Sequence, residues 1–404
     1  MTDRLPEIHS ESCDDDIVAY ILEIKSRCPA DPRVAARLAR VLAASGDRIQ
    51  PRSPFSADVA STGGPSSLST LLCPLYLRAA GAVVPKLGVP GRPAGGIDCL
   101  VQIVGYRSTF GVDEVERLLD ASGYAHFMAG GRLAPLDSRM FQLRQQHGAQ
   151  EVPTLVAASL LSKKLAVGVR NAGLDVRVAP HGNFGKTWTE ASGNARLFIE
   201  AARLLSINAY PVLTDARFPY QPFIGRKEAL LALRHIFRGT ESPWLEEHRI
   251  LCRNLALAST PPEQRERILR ATVSDLQDQF YMNVVAQGGS RDGFEQLVES
   301  TNSRHDHTLR ARDDGFVRFD LDGIRKVLVA WQKRAVVDGA LFPDPVGIIL
   351  MRRPGDWVSR GEPLATVRID DEAFQGAVND LEEPIAKTAL LPLGPSIEGI
   401  KTDE

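Results

Sequence analysis

The segment from Asp58 to Gly81 constrains the fold most. A short strand, Asp58-Val59-Ala60, runs into Ser61-Thr62-Gly63-Gly64 and then into an apolar helix that ends before Gly81. Strand, glycine turn and helix in that order aim backbone N–H groups at an anion, because the first turn of a helix leaves its donors unpaired. The two adjacent glycines allow close backbone approach. Ser61, Thr62, Ser66, Ser67, Ser69 and Thr70 offer hydroxyls that bind phosphate oxygens without adding charge. The same hydroxyls also suit ordinary helix capping, so the loop alone leaves both uses open.

The rest of the chain repeats this texture. A strand over 82–87 enters a second glycine-rich loop, 88–96, and further strands are expected at 174–178 and 207–213 with helical stretches between them. Such alternation predicts an α/β sheet with crossover helices. Two regions depart from it. Before the first strand, Asp14, Asp15 and Asp16 precede Ile17, Tyr20, Ile21 and Ile24 on one helical face, and Asp31-Pro32 opens a second helix that Gly46 stops. From 136 to 167 the sequence is helical, with no strand between its two stretches. Near the end, residues 346–368 alternate apolar and polar about Pro354-Gly355-Asp356, which predicts a β-hairpin in a separate C-terminal α/β unit.

Composition bounds the partners. Among 404 residues, 48 Lys+Arg stand against 50 Asp+Glu, a net charge of −2, so no concentrated basic surface is expected for a nucleic-acid polymer or an anionic membrane. The five cysteines, Cys13, Cys28, Cys73, Cys99 and Cys252, are scattered without a CxxC pair, which suggests neither a disulfide framework nor a zinc cluster. No apolar leader opens the chain, and no run approaches the roughly 18 apolar residues of a membrane span. A soluble protein of a reducing cytoplasm is the expectation.

A second constellation is Arg144, Ser159 and Lys163. Ser159 and Lys163 are four residues apart, on one face of a helix, and Arg144 meets them if the two helical stretches form a hairpin. Guanidinium, hydroxyl and ammonium suit a planar ligand with carbonyl acceptors, or a carboxylate. From spacing alone, a solvated basic face explains the same residues.

The loop 58–64 (DVASTGG), the strings LVAASLLSKKLA at 155–166 and LDVRV at 174–178, the stretch 213–230, AQGG at 286–289 and IILMRRPGDWVSRGEPLA at 348–365 occur in the order found in pyrimidine nucleoside phosphorylases. The sequence resembles the thymidine phosphorylase family from about residue 33 to about residue 368. That family shares its core fold with anthranilate phosphoribosyltransferase.

The resemblance implies a multidomain α plus α/β fold. A small helical domain is expected from 1–55 and 136–168, a larger α/β domain with a mainly parallel sheet from 56–135 and 169–330, and a C-terminal α/β domain from 331–404. It also implies a homodimer, a cleft closing on a pyrimidine nucleoside or base, an anion as second ligand, and no cofactor beyond phosphate as co-substrate. Arg144, Ser159 and Lys163 fall on the positions that hold the pyrimidine ring, and Phe184 matches an aromatic that packs against the base. Donors there stabilise the negative charge left on the ring when the N-glycosidic bond breaks.

The phosphate end departs from the family. Val59 and Ala60 replace a Lys-His pair, Ser66-Ser67-Leu68 replaces Gly-Asp-Lys, and Gly88 and Gly96 stand where the family has phosphate-binding hydroxyls. Each lost charged contact costs about 1.5–3 kcal/mol. Ser61, Thr62, Gly63, Gly64, Ser69 and Thr70 remain as anion-binding candidates. Lys86 and Arg92 are new cations able to compensate, or else exposed loop charges. His181, in a loop one residue longer than the family pattern, either replaces the missing imidazole as a catalytic group or is an ordinary loop histidine. His305 and His307 have no acidic spacing that makes a metal site.

The expected activity is therefore glycosyl transfer at a pyrimidine nucleoside, with an altered anion site. Two alternatives stand beside it. One is a phosphoribosyltransferase acting on a pyrimidine-like acceptor, suggested by 67–70 but lacking paired carboxylates at Asp175-Val176-Arg177. The other is a non-phosphorolytic homologue that binds a nucleobase or nucleotide.

Overall fold

The computed structural model describes residues 7–91, 93, 95–128, 131–182, 184–239, 242–336, 342–386 and 388–389. Helices α1 (Asp14–Arg27) and α2 (Pro32–Ala44) come first; Asp31 caps α2 by accepting from the backbone N–H groups of Arg33 and Val34 at 2.8 and 3.1 Å. Strand β1 (Ala57–Ser61) leads through the glycine loop into α3 (Ser69–Ala79), followed by β2 (Val84–Gly88), α4 (Gly96–Leu100), α5 (Val112–Ser122) and β3 (Tyr124–Met128). Helices α6 (Pro135–Gln146) and α7 (Pro153–Ala166) follow with no strand between them. Then come β4 (Asn171–Val178), α8 (Trp188–Leu204) and β5 (Asn208–Asp215).

The second half opens with β6 (Phe223–Ile224) and runs through α9 (Arg226–Phe237), α10 (Pro243–Ala258), α11 (Arg265–Arg270), α12 (Val273–Ala286) and α13 (Arg291–Asn302). It closes with β7 (His307–Arg310), β8 (Gly315–Val317), α14 (Leu321–Arg334), β9 (Val346–Leu350), β10 (Trp357–Val358), β11 (Pro363–Ile369), α15 (Gly376–Ile385) and β12 (Thr388–Ala389).

Strands β1, β4 and β5 form a parallel sheet in the order β1-β4-β5, and β2 and β3 form a parallel pair. A parallel bridge from Ser56 to Val83 ties the two together. Central β4 is longer than the predicted 174–178 because all eight of its residues are buried, as in a strand covered on both faces. Its alternation then sorts the side chains. Ala172, Leu174, Val176 and Val178 join the core built with α1, α2, α7 and α8, while Asp175 and Arg177 share the opposite face. A second core, under α3, α9, α10 and α12, takes Val59 from β1. Each fully buried Leu or Ile in these cores contributes roughly 1.5–3 kcal/mol.

The C-terminal sheet is antiparallel in the order β6-β9-β11-β7, so it draws strands from before and after α14. Strands β9 and β11 pair as the predicted hairpin does, with Ala365 opposite Leu350, but the connection between them carries β10 away to pair with β8. Fully buried Arg368 locks this sheet to α9: its Nε donates to Glu228 at 2.6 Å and its Nη2 to Asp344 at 2.9 Å. No described helix is long and apolar enough to cross a membrane.

Candidate active site

At the candidate base site, α7 presents Ser159 and Lys163 on one face. Lys163 Nζ lies 3.0 Å from the Ser159 hydroxyl and 3.0 Å from its carbonyl, and it donates to the carboxylate of Asp137 in the first turn of α6. Asp137 is buried, whereas the Lys163 side chain keeps 17% exposure, so the ammonium is held in place on a side chain that is not sealed from solvent. Sequence reasoning missed Asp137; an acid in a first helical turn resembles an ordinary response to the helix dipole.

Arg144 follows Asp137 two turns later on α6 and is buried. Its Nη1 donates to the Leu155 carbonyl at 3.2 Å, one turn before Ser159 on α7, and its other nitrogens bind the carbonyls of Ala149 and Gln150 at 3.2 and 2.8 Å. Burial lowers its pKa to about 10, with Asp137 opposing the shift. Arg144 thus closes the α6–α7 connection and reaches α7 beside Ser159. Phe184 is buried, at 1% exposure, in the core that α1, α2, α7 and α8 share, its carbonyl accepting from Asn194 of α8 at 3.2 Å. His181, three residues earlier, is exposed. Partial desolvation lowers its pKa, and the charges acting on it most strongly are Asp322, Arg325, Asp320 and Lys326 at the start of α14.

The glycine loop after β1, the candidate anion site, is internally braced. The Ser61 hydroxyl accepts from Gly63 N–H at 3.2 Å, Thr62 N–H donates to the Asp175 carbonyl at 3.0 Å, and the Thr62 hydroxyl accepts from Arg177 N–H at 3.0 Å. Ser69 Oγ donates to the Asp175 carboxylate at 3.0 Å, and Ser67 Oγ donates to Ser69 Oγ at 3.1 Å. Leu68 N–H, at the mouth of α3, donates to His248 Nε2 on α10 at 2.8 Å. Asp175 accepts a further bond from Thr214 at 2.9 Å, and Thr214 bonds the Tyr220 hydroxyl at 2.7 Å.

The cation of this loop is one that sequence reasoning passed over. Arg177 places Nε 3.0 Å from Asp175, Nη2 3.3 Å from Ser69 Oγ and Nη1 on the carbonyl of Gly63, with its guanidinium 5.4 Å from the Tyr220 ring centroid. Gly64, at φ +133°, permits this seat, since a Cβ there would collide with Nη1. The alternation of Asp175 and Arg177 on one strand was the available signal.

Lys86 is elsewhere. It is buried on β2, 2.7 Å from Asp58 and 2.7 Å from the Val59 carbonyl, and Lys164 donates to the other oxygen of Asp58. Burial would raise the Asp58 pKa; Lys164 and Lys86 outweigh it and hold the carboxyl well below its usual range. Val59 itself is 1% exposed in the α3 core. Arg92 lies outside the described residues. Thr70 opens α3 facing the second glycine loop, where a Cβ on Gly96 would come 3.1 Å from Thr70 Cβ. Among the described residues, no three His, Cys, Asp or Glu side chains are grouped to hold a metal ion.

No protein-family model matches the chain. Thymidine phosphorylase of Mycobacterium tuberculosis (strain ATCC 25618 / H37Rv) is 30% identical to it over 340 residues, covering 82% of this chain and 77% of that protein. Pyrimidine-nucleoside phosphorylase of Geobacillus stearothermophilus is 25% identical over 386 residues, 90% of this chain and 86% of that one. Among solved structures, anthranilate phosphoribosyltransferase from Thermus thermophilus shares the fold, with a TM-score of 0.50 at 16% identity over 72% of this chain and 91% of that chain.

Proposed function

The chain belongs to the thymidine phosphorylase family, and from that membership we propose that it splits pyrimidine nucleosides with phosphate at an anion site of its own design. A phosphate oxygen bonds to the anomeric carbon as the C–N bond breaks. The base leaves with the bonding pair and is then protonated, giving free base and a pentose 1-phosphate.

The observation that carries this reading is Lys163, its ammonium fixed between Asp137 and Ser159 and its side chain still partly open to solvent. A fixed, partly desolvated donor stabilises the charge that develops on the departing ring. Ser159 supplies a second polar contact, Arg144 supports the wall beside them, and Phe184 backs it. Phosphate is received at the carboxyl ends of β1 and β4, where parallel α/β sheets bind ligands, by the loop 61–70 and Arg177. Lys86, committed to Asp58 and the Val59 carbonyl, supports the strand that leads into this loop, and exposed His181 is the candidate replacement for the missing imidazole. The enzyme works without a cofactor, in the cytoplasm, as a homodimer like that implied by the family resemblance.

Incubating the protein with uridine or thymidine, with and without phosphate, tests the reading. Phosphate-dependent release of free base is expected. Tight base binding without any phosphate-dependent release would overturn it in favour of a binding homologue.

A further inference from the structure

Two glycines of the second loop, Gly88 at the end of β2 and Gly96 at the start of α4, surround one imidazole. A Cβ built on Gly96 would lie 2.6 Å from His126 Cε1, and one on Gly88 would lie 3.3 Å from His126 Nε2. The ring therefore occupies the space that a side chain at Gly96 would need; at Gly88 Ile97 stands nearer, at 2.9 and 3.0 Å, with the ring edge just behind it. Thr70 faces the same point across Gly96. His126 is 1% exposed and sits on β3 opposite Lys86. Its Nδ1 is 3.2 Å from the Tyr124 hydroxyl.

Resting on the phosphorylase reading above, we propose that His126 is an anion-binding residue of this site, delivering a neutral N–H through Nε2 between Gly88, Gly96 and Thr70 to the phosphate. Burial, reinforced by Lys86, lowers the imidazole pKa well below its ordinary value and keeps the ring uncharged. Burial also holds the Tyr124 phenol protonated. With that O–H donating to Nδ1, the single ring proton resides on Nε2, which is the edge turned toward the glycines. A neutral donor adds specificity without another buried charge, and the cationic share of recognition falls to Arg177. Gly96 is the steric counterpart of this histidine, because a side chain there competes with the ring for one volume.

The test is a steric and polar exchange. His126→Ala is expected to weaken inorganic phosphate, as KM in phosphorolysis and as Kd by calorimetry, about 10–100-fold, with uracil binding unchanged. Gly96→Ser alone is expected to lower the melting temperature through its clash with the ring. Combined with His126→Ala, it is expected to recover phosphate affinity several-fold, by placing a hydroxyl in the vacated space. His126→Phe keeps the ring volume without the donor and must reproduce the phosphate defect if the alanine variant fails to fold.

Phosphate affinity within twofold of wild type in a folded His126→Phe or His126→Ala protein overturns the proposal, as does a wild-type protein that binds no phosphate. A wild type that binds phosphate through His126 but releases no base leaves this proposal standing and removes the phosphorylase reading instead.

Discussion

Arg177 stands two residues beyond Asp175 on β4 and folds its guanidinium back, so that Nε rests 3.0 Å from the Asp175 carboxylate while Nη1 donates to the carbonyl of Gly63. One strand thus supplies both the counter-ion and the cation of a loop whose own strand carries Val59 and Ala60 and no charge beyond Asp58. The positive charge of the loop comes from the neighbouring strand. Because Ser61 is paired opposite Asp175 in the parallel register, the neighbour delivers it to the same place.

Replacing Arg177 with Met removes that cation and leaves Asp175, itself 2% exposed, without its ionic partner. Losing one member of a buried pair costs about 3–5 kcal/mol, so a marked drop in melting temperature is expected together with weaker phosphate binding. Arg177→Lys separates the two effects. It retains the charge but not the fork, and is expected to recover stability more fully than phosphate KM. Equal phosphate KM in Arg177→Lys, Arg177→Met and wild type would remove Arg177 from anion recognition.

Lys163→Met tests the base end. Loss of one charge-assisted contact to the leaving ring is expected to lower kcat/KM for a pyrimidine nucleoside by about 10–100-fold, while phosphate binding by calorimetry stays as in wild type. A similar loss of both ligands would show that the helix, rather than the ammonium, had been disturbed.

Asp137→Asn removes the charge that holds Lys163. The pair is only partly exposed, so a destabilisation of about 1–3 kcal/mol in urea unfolding is expected, below the figure for full burial. A positioning role also requires nucleoside KM to rise while phosphate KM does not. A variant that is less stable but kinetically normal assigns Asp137 to folding alone.

His248 sets a pH dependence. Burial lowers its pKa from 6.5 to about 3, with Arg177 adding to the shift, and its Nε2 must stay unprotonated to accept from Leu68. The unfolded chain binds a proton near pH 6.5 that the native protein refuses until about pH 3, so stability rises with pH across that window. Acid is therefore expected to loosen the α3 end of the anion loop first. The hydrogen-exchange protection factor at Leu68 should fall as the pH drops from about 6.5 to 4, and His248→Gln should flatten the stability-versus-pH slope over that range. An unchanged slope in the variant would place the acid response elsewhere; Glu228 contributes only lower, between about pH 4.5 and 2. Burial works to raise Glu228, but Arg368 and His305 hold it at about 2.

Local patterns were legible wherever one element carried them. The four-residue spacing of Ser159 and Lys163 put both on one face of α7, and the strand, glycine turn and helix of 57–79 folded in that order, because helix period and glycine φ are local properties. The hairpin at 346–369 was legible as a pairing of β9 with β11. The departure of β10 to β8 was not, because β8 lies some forty residues earlier. Lys86 read as a loop-wall cation for a similar reason: nothing near it in sequence announces Asp58, 28 residues away and buried.

By itself the amino-acid sequence determined which side chains share a face: Asp175 with Arg177, Ser159 with Lys163, and Ser61, Ser69 and Thr70 around one glycine turn. It also determined the family. Only the tertiary structure decided what those faces meet. Ser69 reaches Asp175 across 106 residues and Lys163 reaches Asp137 across 26, while His126 fills the space beside Gly88 and Gly96 only because β2 and β3 pair in parallel register. Backbone period acts within a few residues. Strand order and register are set by which apolar faces bury against each other, and they bring a cation and an imidazole to a loop whose own residues carry neither.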